Sequence, residues 1–178
     1  MTGPPLRLAT DADLPAIRAL TPRSVRGLGG ACYSPAQIES AIRHVFGPDT
    51  RLIDDGTYFV VSDASDLVGC GGWSRRRTLY GGDQMKSAED PLLDPATEPA
   101  RIRAFFVAPE RARQGIGSML LRASMRAAAA AGFRDAELVA TLPGEHLYAA
   151  HGFVAVERID APLPDGLTIP FVRMRRAL

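Results

Sequence analysis

A chain of 178 residues, 46% hydrophobic and 23% charged, is long enough to bury one sizeable core and fits a single domain over 1–178. Its 21 Lys and Arg against 20 Asp and Glu leave a formal charge of +1, which argues against a protein built to bind nucleic acid. Cys32 and Cys70 make neither a disulfide framework nor a metal pattern, no charged-then-apolar leader opens the chain, and no apolar run approaches the roughly 20 residues of a membrane helix. A reducing, cytoplasmic setting without a metal is therefore the default expectation.

Leu6 to Thr10 reads as a first strand. Thr10 or Asp11 then caps a helix with Leu14, Ile17 and Leu20 on its inner face, and Pro22 with the Gly27 to Gly30 cluster breaks it. Ser34 and Pro35 open a second helix that runs to about Phe46, with Ile38, Ile42 and Val45 inward, until Pro48 and Asp49 end it. Thr57 to Ser62 is a β-rich run, Ala64-Ser65-Asp66 a turn, and Leu67 to Trp73 the returning strand of a hairpin. From Arg75 to Pro99 the periodicity stops, and Gly81, Gly82, Pro91, Pro95 and Pro99 interrupt the chain. An irregular segment of that length between strands is either a substrate-side lid or a surface excursion.

Arg101 to Ala108 resumes as a strand and ends at Pro109. A basic turn follows, then Gly115-Ile116-Gly117, then a helix whose inner face carries Ile116, Met119, Leu120, Ala123, Ala127 and Ala130; Gly132 sits where a helix-ending glycine is expected. Ala136 to Thr141 is the next strand, so two strands flank a helix in a right-handed parallel unit. After the break at Leu142 to Glu145 come a short helix, His146 to Ala150, a strand from Phe153 to Ile159, a turn through Pro162, Pro164, Asp165 and Gly166, and a last strand from Thr168 to Met174.

The chemistry concentrates between Phe105 and Leu121. A strand that turns through glycines into a helix N-terminus builds an anion site, because the first helical N–H groups lack internal partners and the helix dipole adds positive potential. Gly115 and Gly117 let the backbone approach a phosphate closely, and Arg111 and Arg113 add charge beside it. The Gly-Lys-Ser/Thr ending of a nucleotide-triphosphate loop is missing, and Leu120 stands where a dinucleotide fingerprint needs its third glycine. Taken alone, the Gly-x-Gly is equally a tight strand–helix turn.

Three features in one order make the pattern specific: Val107-x-Pro109 followed by Arg113-Gln114-Gly115-Ile116-Gly117 and a helix; the strand after that helix; and Leu147-Tyr148-Ala149-Ala150-His151-Gly152-Phe153. The chain thereby resembles the GNAT N-acetyltransferase superfamily, tightly over residues 102 to 153 and in element order over nearly its whole length. The resemblance implies an α/β fold with a mixed sheet of six to seven strands, splayed between two parallel strands and flanked by about four helices. It implies acetyl-CoA as cosubstrate and an amine of a small molecule or peptide as acceptor, with neither nucleic acid nor membrane as partner and a homodimer as a possibility carried by analogy alone. Gln114, Gly115, Ile116, Gly117 and Ser118 would cradle the pyrophosphate through backbone N–H groups, with Arg111 and Arg113 flanking. Main-chain groups of Phe105 and Val107 would pair with the pantetheine arm like an added strand. A neutral amine would attack the thioester directly, a backbone N–H of Phe106 or Val107 would stabilise the oxyanion, and Tyr148 would protonate the leaving thiolate. No covalent enzyme intermediate is needed, so neither cysteine is required as a nucleophile.

Two positions depart from the family pattern: Ala112 replaces the usual Arg or Gln three residues before the first glycine, and Thr141 stands where many relatives have asparagine. The strand before the turn carries no acid and no histidine, which leaves Glu98, Asp83 and Glu89 as base candidates, each reading first as a solvated loop carboxylate. Cys70, Tyr33 and Trp73 read first as packing residues, Gly71 and Gly72 as a bulge or as room for a ligand, His151 as a residue beside Gly152, and His146 as a neighbour of Tyr148. The rival reading is a non-catalytic acyl-CoA binding or sensing module.

Overall fold

A computed structural model describes residues 5–64 and 66–178. In chain order the elements are β1 (Leu6–Leu8), α1 (Leu14–Gly29), α2 (Pro35–His44), α3 (Thr50–Asp54), β2 (Tyr58–Asp63), β3 (Asp66–Ser74), β4 (Ala100–Val107), α4 (Ile116–Ala130), β5 (Asp135–Thr141), α5 (Glu145–Ala150), β6 (Val154–Pro162) and β7 (Thr168–Ala177). The strands form one seven-stranded sheet in the order β1-β2-β3-β4-β5-β7-β6, antiparallel throughout except for β4 against β5. The mixed α/β class expected from the sequence is present, with five helices among the described residues against the expected four or so. Of the hairpin turn expected at Ala64-Ser65-Asp66, Ser65 lies outside the described residues.

The first helix departs from its expected end. α1 runs through Pro22 and stops only at Gly29. Proline removes one intrahelical N–H without forbidding the next turn when the helix is packed. Here Ile17 and Leu20 are fully buried on one side of it, and the Thr21 hydroxyl donates to the Ile17 carbonyl at 3.0 Å. Gly27 serves contact rather than termination: a Cβ there would overlap the Pro109 ring, so the glycine lets α1 lie directly against the chain leaving β4. α2 starts as read, with Ser34 and Gln37 in a reciprocal capping box. α3 has only five residues, too few to show a period, and is held by the buried Leu52.

Packing of the sheet sets the site. Phe105 and Phe106 are neighbours in β4 and so point to opposite faces. Phe105 meets Tyr148 of α5 edge-on at 6.1 Å, while Phe106 meets Phe46, just past α2, edge-on at 6.1 Å. One core cluster joins Leu121, Leu138, Phe133, Trp73 and Tyr148; a second joins Ile17, Leu20, Val60, Cys70 and Leu120; a third ties Tyr33 and Ile38 to Ile169 and Phe171. Each large apolar side chain fully buried in this way contributes roughly 1.5–3 kcal/mol.

The irregular segment between β3 and β4 is tied down over much of its length. Arg76 pairs with Asp55 through two bonds of 2.7 and 2.8 Å, the Leu93 N–H donates to the Arg75 carbonyl at 2.7 Å, and the Gly82 N–H donates to the Val45 carbonyl at 2.8 Å. Beneath it lies a buried charge cluster: Arg103 of β4 donates to Asp49 at 2.9 Å and to the Thr78 and Gly81 carbonyls, and Lys86 also contacts Asp49. Tyr80 then packs edge-on against Phe171 at 5.7 Å. The segment therefore walls the side of the sheet that carries Phe46 and Phe106. Among the described residues no helix is long and apolar enough to cross a membrane.

Candidate active site

The site begins where two strands part. β4 pairs in parallel with β5 at only two positions, Ala100 with Ala136 and Arg101 with Glu137. Arg101 and Glu137 form an ion pair on that last rung, and Arg173 of β7 stands 3.3 Å from the same carboxylate. Beyond the rung β4 turns away. Its register against β3 slips between Cys70 and Gly72, and Ala104 adopts φ 55°, the left-handed region that an alanine rarely enters. An extra residue of this kind bends and twists its strand, and here it opens a gap between β4 and β5.

The main chain lining the gap has directional donors. The Ala108 N–H donates across to the Val68 carbonyl of β3 at 2.9 Å, and the Phe106 N–H faces Cys70 of the same strand. Alternation then turns the Val107 N–H the other way, where the Ser24 hydroxyl of α1 accepts it at 3.1 Å. Of the two donors expected from the sequence to face an oxyanion, Phe106 is thus turned toward β3 and Val107 is already engaged. Ala104 and Phe105 fall between the paired residues Arg103 and Phe106 and so stand outside the register with β3.

At the far end of β4 the glycine turn forms a concave backbone. Pro109–Arg111 makes one 3₁₀ turn, Arg113 has φ 63° and Gly115 has φ 85°, and α4 starts at Ile116. Left-handed residues in such a turn swing successive N–H groups inward, and the first helical N–H groups add to them. Arg113, Gln114 and Gly115 are exposed, and a Cβ on Gly115 would meet nothing within 4 Å. Gly117 is different: a Cβ there would come 3.0 Å from a methyl of Leu147, so this glycine also lets α5 close on the start of α4. Ile116 contributes main chain only, because its side chain packs over Gly69. The Ser118 hydroxyl lies 2.9 Å from His151 Nε2. Arg111 pairs with Asp63 at 2.7 Å, on the side of the turn toward β2.

α5 brings Tyr148 to the gap. The Thr141 hydroxyl accepts from the Gly144 N–H at 3.3 Å, which fixes the turn where β5 ends. Gly152, at φ 82°, follows the six residues of the helix and its cap His151. Tyr148 is buried between Phe105 and Phe153, both edge-on, and burial pushes its phenol above the ordinary range. Among the described residues its hydroxyl has no hydrogen-bond partner.

Other candidates take structural places. The Tyr33 hydroxyl donates to the Pro170 carbonyl and accepts from the Leu142 N–H, both at 2.8 Å; burial pushes it up to about 12. Trp73 packs edge-on against Phe133. Glu98 accepts from the Asp94 N–H at 2.8 Å and faces Arg77, Asp83 accepts from the Thr50 N–H, and Glu89 and His146 are exposed. Gly71 leaves room for the Phe105 ring, and Gly72 for the Thr57 carbonyl and the Tyr58 backbone and ring. Ser24 escaped the sequence reading although it carried a signal, a polar residue on the inner face of α1 in line with Ile17, Leu20 and Thr21. Arg103 and Glu137 carried none beyond their place in a strand.

Comparison with known proteins agrees with this geometry. Residues 54–155, more than half of the chain, match the family model of the acetyltransferase (GNAT) domain. No curated protein sequence matches the chain. Among solved structures, a GCN5-related N-acetyltransferase from Rhodopseudomonas palustris superposes with a TM-score of 0.73 at 19% identity, covering 100% of this chain and 98% of that one. PaiA N-acetyltransferase from Thermoplasma acidophilum, solved in complex with coenzyme A, gives 0.67 at 16% identity over 99% and 100% of the two chains. The ribosomal-protein-S18-alanine N-acetyltransferase of Escherichia coli gives 0.60 at 15% identity over 97% and 92%.

Proposed function

Because this chain belongs to the GNAT acetyltransferase family, we propose that it transfers the acetyl group of acetyl-CoA directly to an amine of a small molecule or peptide. One observation carries the reading: β4 and β5 part after two rungs, and the gap has a concave backbone turn at one end and a buried tyrosine against its bulged strand. The coenzyme A held by the Thermoplasma acidophilum neighbour supports it.

In this reading the main-chain N–H groups from Gln114 to Ser118 hold the pyrophosphate, with Arg113 adding charge from the exposed turn. The gap-facing edge of β4 takes the pantetheine arm as a strand would be taken. The amine nitrogen forms a bond to the thioester carbon, the carbonyl oxygen becomes an oxyanion beside the Phe105 N–H, and the C–S bond breaks as Tyr148 passes its proton to sulfur. The oxyanion collapses to the amide carbonyl as sulfur leaves, the amine sheds its own proton to solvent, and solvent returns a proton to Tyr148. Incubating the protein with acetyl-CoA and a panel of amines and peptides, followed by mass spectrometry, tests the reading. An acceptor one acetyl group heavier supports it, and a panel left unmodified by protein that still binds CoA supports the sensing module instead.

Ser24 yields a second test. Its hydroxyl occupies the Val107 N–H that the arm would use, so binding exchanges one hydrogen bond for another. Ser24→Ala leaves that donor without a partner in the free protein and removes the competitor. Free-protein Tm falls and CoA affinity rises about fivefold, equivalent to the roughly 1 kcal/mol of one hydrogen bond. Calorimetry showing unchanged or weaker binding would exclude Val107 as a cofactor donor.

A further inference from the structure

Tyr58 lies at the start of β2, 1% exposed, and reaches across the neighbouring strand. It lies opposite Gly72, where a Cβ would stand 2.3 Å from the Thr57 carbonyl oxygen and 2.9 Å from the tyrosine ring. That missing side chain lets the hydroxyl arrive two strands away, where it donates to the Ala104 carbonyl at 2.7 Å. Ala104 is the left-handed residue of the β4 bulge, and a residue with a Cβ stays in that conformation only when its surroundings hold it there. Val60 and Cys70, both fully buried, close the space beside Tyr58, so the ring has little freedom to follow a different backbone.

The geometry of the peptide does the rest. No cis peptide occurs among the described residues, and in a trans peptide the C=O and the following N–H point in opposite directions. A carbonyl fixed toward Tyr58 fixes the Phe105 N–H on the other side of the strand. Resting on the acetyl-transfer reading above, we propose that Tyr58 is a positioning residue: by holding the Ala104–Phe105 peptide it aims the Phe105 N–H at the thioester oxygen, without itself touching substrate. Burial pushes the Tyr58 phenol well above its ordinary range, so the donor stays protonated throughout any assay range.

Tyr58→Phe removes the hydroxyl and keeps the ring. Loss of a whole oxyanion donor costs about 10²–10³ in kcat, and a donor merely released from its aim costs less, about tenfold. Acceptor KM and CoA affinity stay within about twofold, because the released group acts on the developing oxyanion rather than on the bound ground state. Glycine takes the left-handed conformation without help, so Ala104→Gly placed in the Tyr58→Phe background restores most of kcat. A readout independent of any acceptor is the Phe105 amide resonance, which shifts with acetyl-CoA more than with CoA in the wild type, loses that difference in Tyr58→Phe and regains it in the double variant. Unchanged kcat and an unchanged Phe105 shift in Tyr58→Phe overturn the proposal. So does a fall in kcat matched by equal losses in KM and CoA affinity, or failure of both variants to fold, which marks a packing residue. If the wild type acetylates no amine, the acetyl-transfer reading fails, and the amide shift still decides whether Tyr58 aims the peptide.

Discussion

Tyr148→Phe lowers kcat about 100-fold in a thiol-release assay, with CoA affinity and Tm nearly unchanged. General acid catalysis contributes about 10²–10⁴-fold, and the lower end applies because a CoA thiolate is already a fair leaving group. Three features of the site restrict the loss to chemistry. The ring that remains keeps both edge-on contacts, to Phe105 and to Phe153. The hydroxyl that is lost has no hydrogen-bond partner among the described residues, so its removal leaves none of them orphaned. The phenol is also raised above its usual range by burial, so it is protonated, and able to donate, at every pH at which the protein is assayed. It follows that the basic limb of the kcat profile does not belong to Tyr148, and Tyr148→Phe lowers the profile without moving that limb. A kcat unchanged under conditions where chemistry limits the rate removes Tyr148 as the acid.

Gly117→Glu weakens CoA binding about 30-fold, close to 2 kcal/mol. The substitution places a carboxylate at the start of α4, where converging N–H groups would otherwise meet the pyrophosphate, and two like charges near a protein surface repel strongly at short range. Because a Cβ at Gly117 also presses on Leu147, one residue before Tyr148, the variant needs a partner that carries the steric change alone. Gly117→Ala supplies it: the Leu147 methyl is the end of a flexible side chain and gives way, so the loss stays below about fivefold. Calorimetric titration of both variants separates the two effects. Equal affinities for the glutamate and alanine variants would place the phosphates elsewhere.

Most of the fold was legible in the sequence because its elements are regular. The helix from Ile116 to Ala130 has an apolar period that places Ile116, Leu120 and Ala123 inward, although Ala130 is exposed and Leu121, Ser124 and Ala128 are buried instead; the first strand of the hairpin is β-branched and aromatic, and Ser34, Gly132 and Gly152 mark element ends by local chemistry. The misses share a cause. Pro22 and Gly27 look like helix breakers by local rules, yet tertiary contact with the chain after β4 keeps α1 going to Gly29. Gly71 and Gly72 announce close approach without saying of what; the Phe105 ring and the Thr57–Tyr58 main chain, remote in sequence, supply the answer. The candidate site divides the same way. Its glycine turn and Tyr148 sit in a recognisable order. The hydroxyl of Ser24 on Val107, that of Tyr58 on Ala104 and the Arg103–Asp49 pair join residues 83, 46 and 54 positions apart, and no local spacing reports them.

The claim at the centre is direct transfer within the gap between β4 and β5, and bisubstrate kinetics test it most directly. Initial rates of thiol release are measured over a grid of acetyl-CoA and acceptor concentrations. Direct attack on the thioester requires both substrates together in the site, so the predicted result is a family of intersecting double-reciprocal lines. Parallel lines, the signature of an acetylated enzyme intermediate, would contradict it.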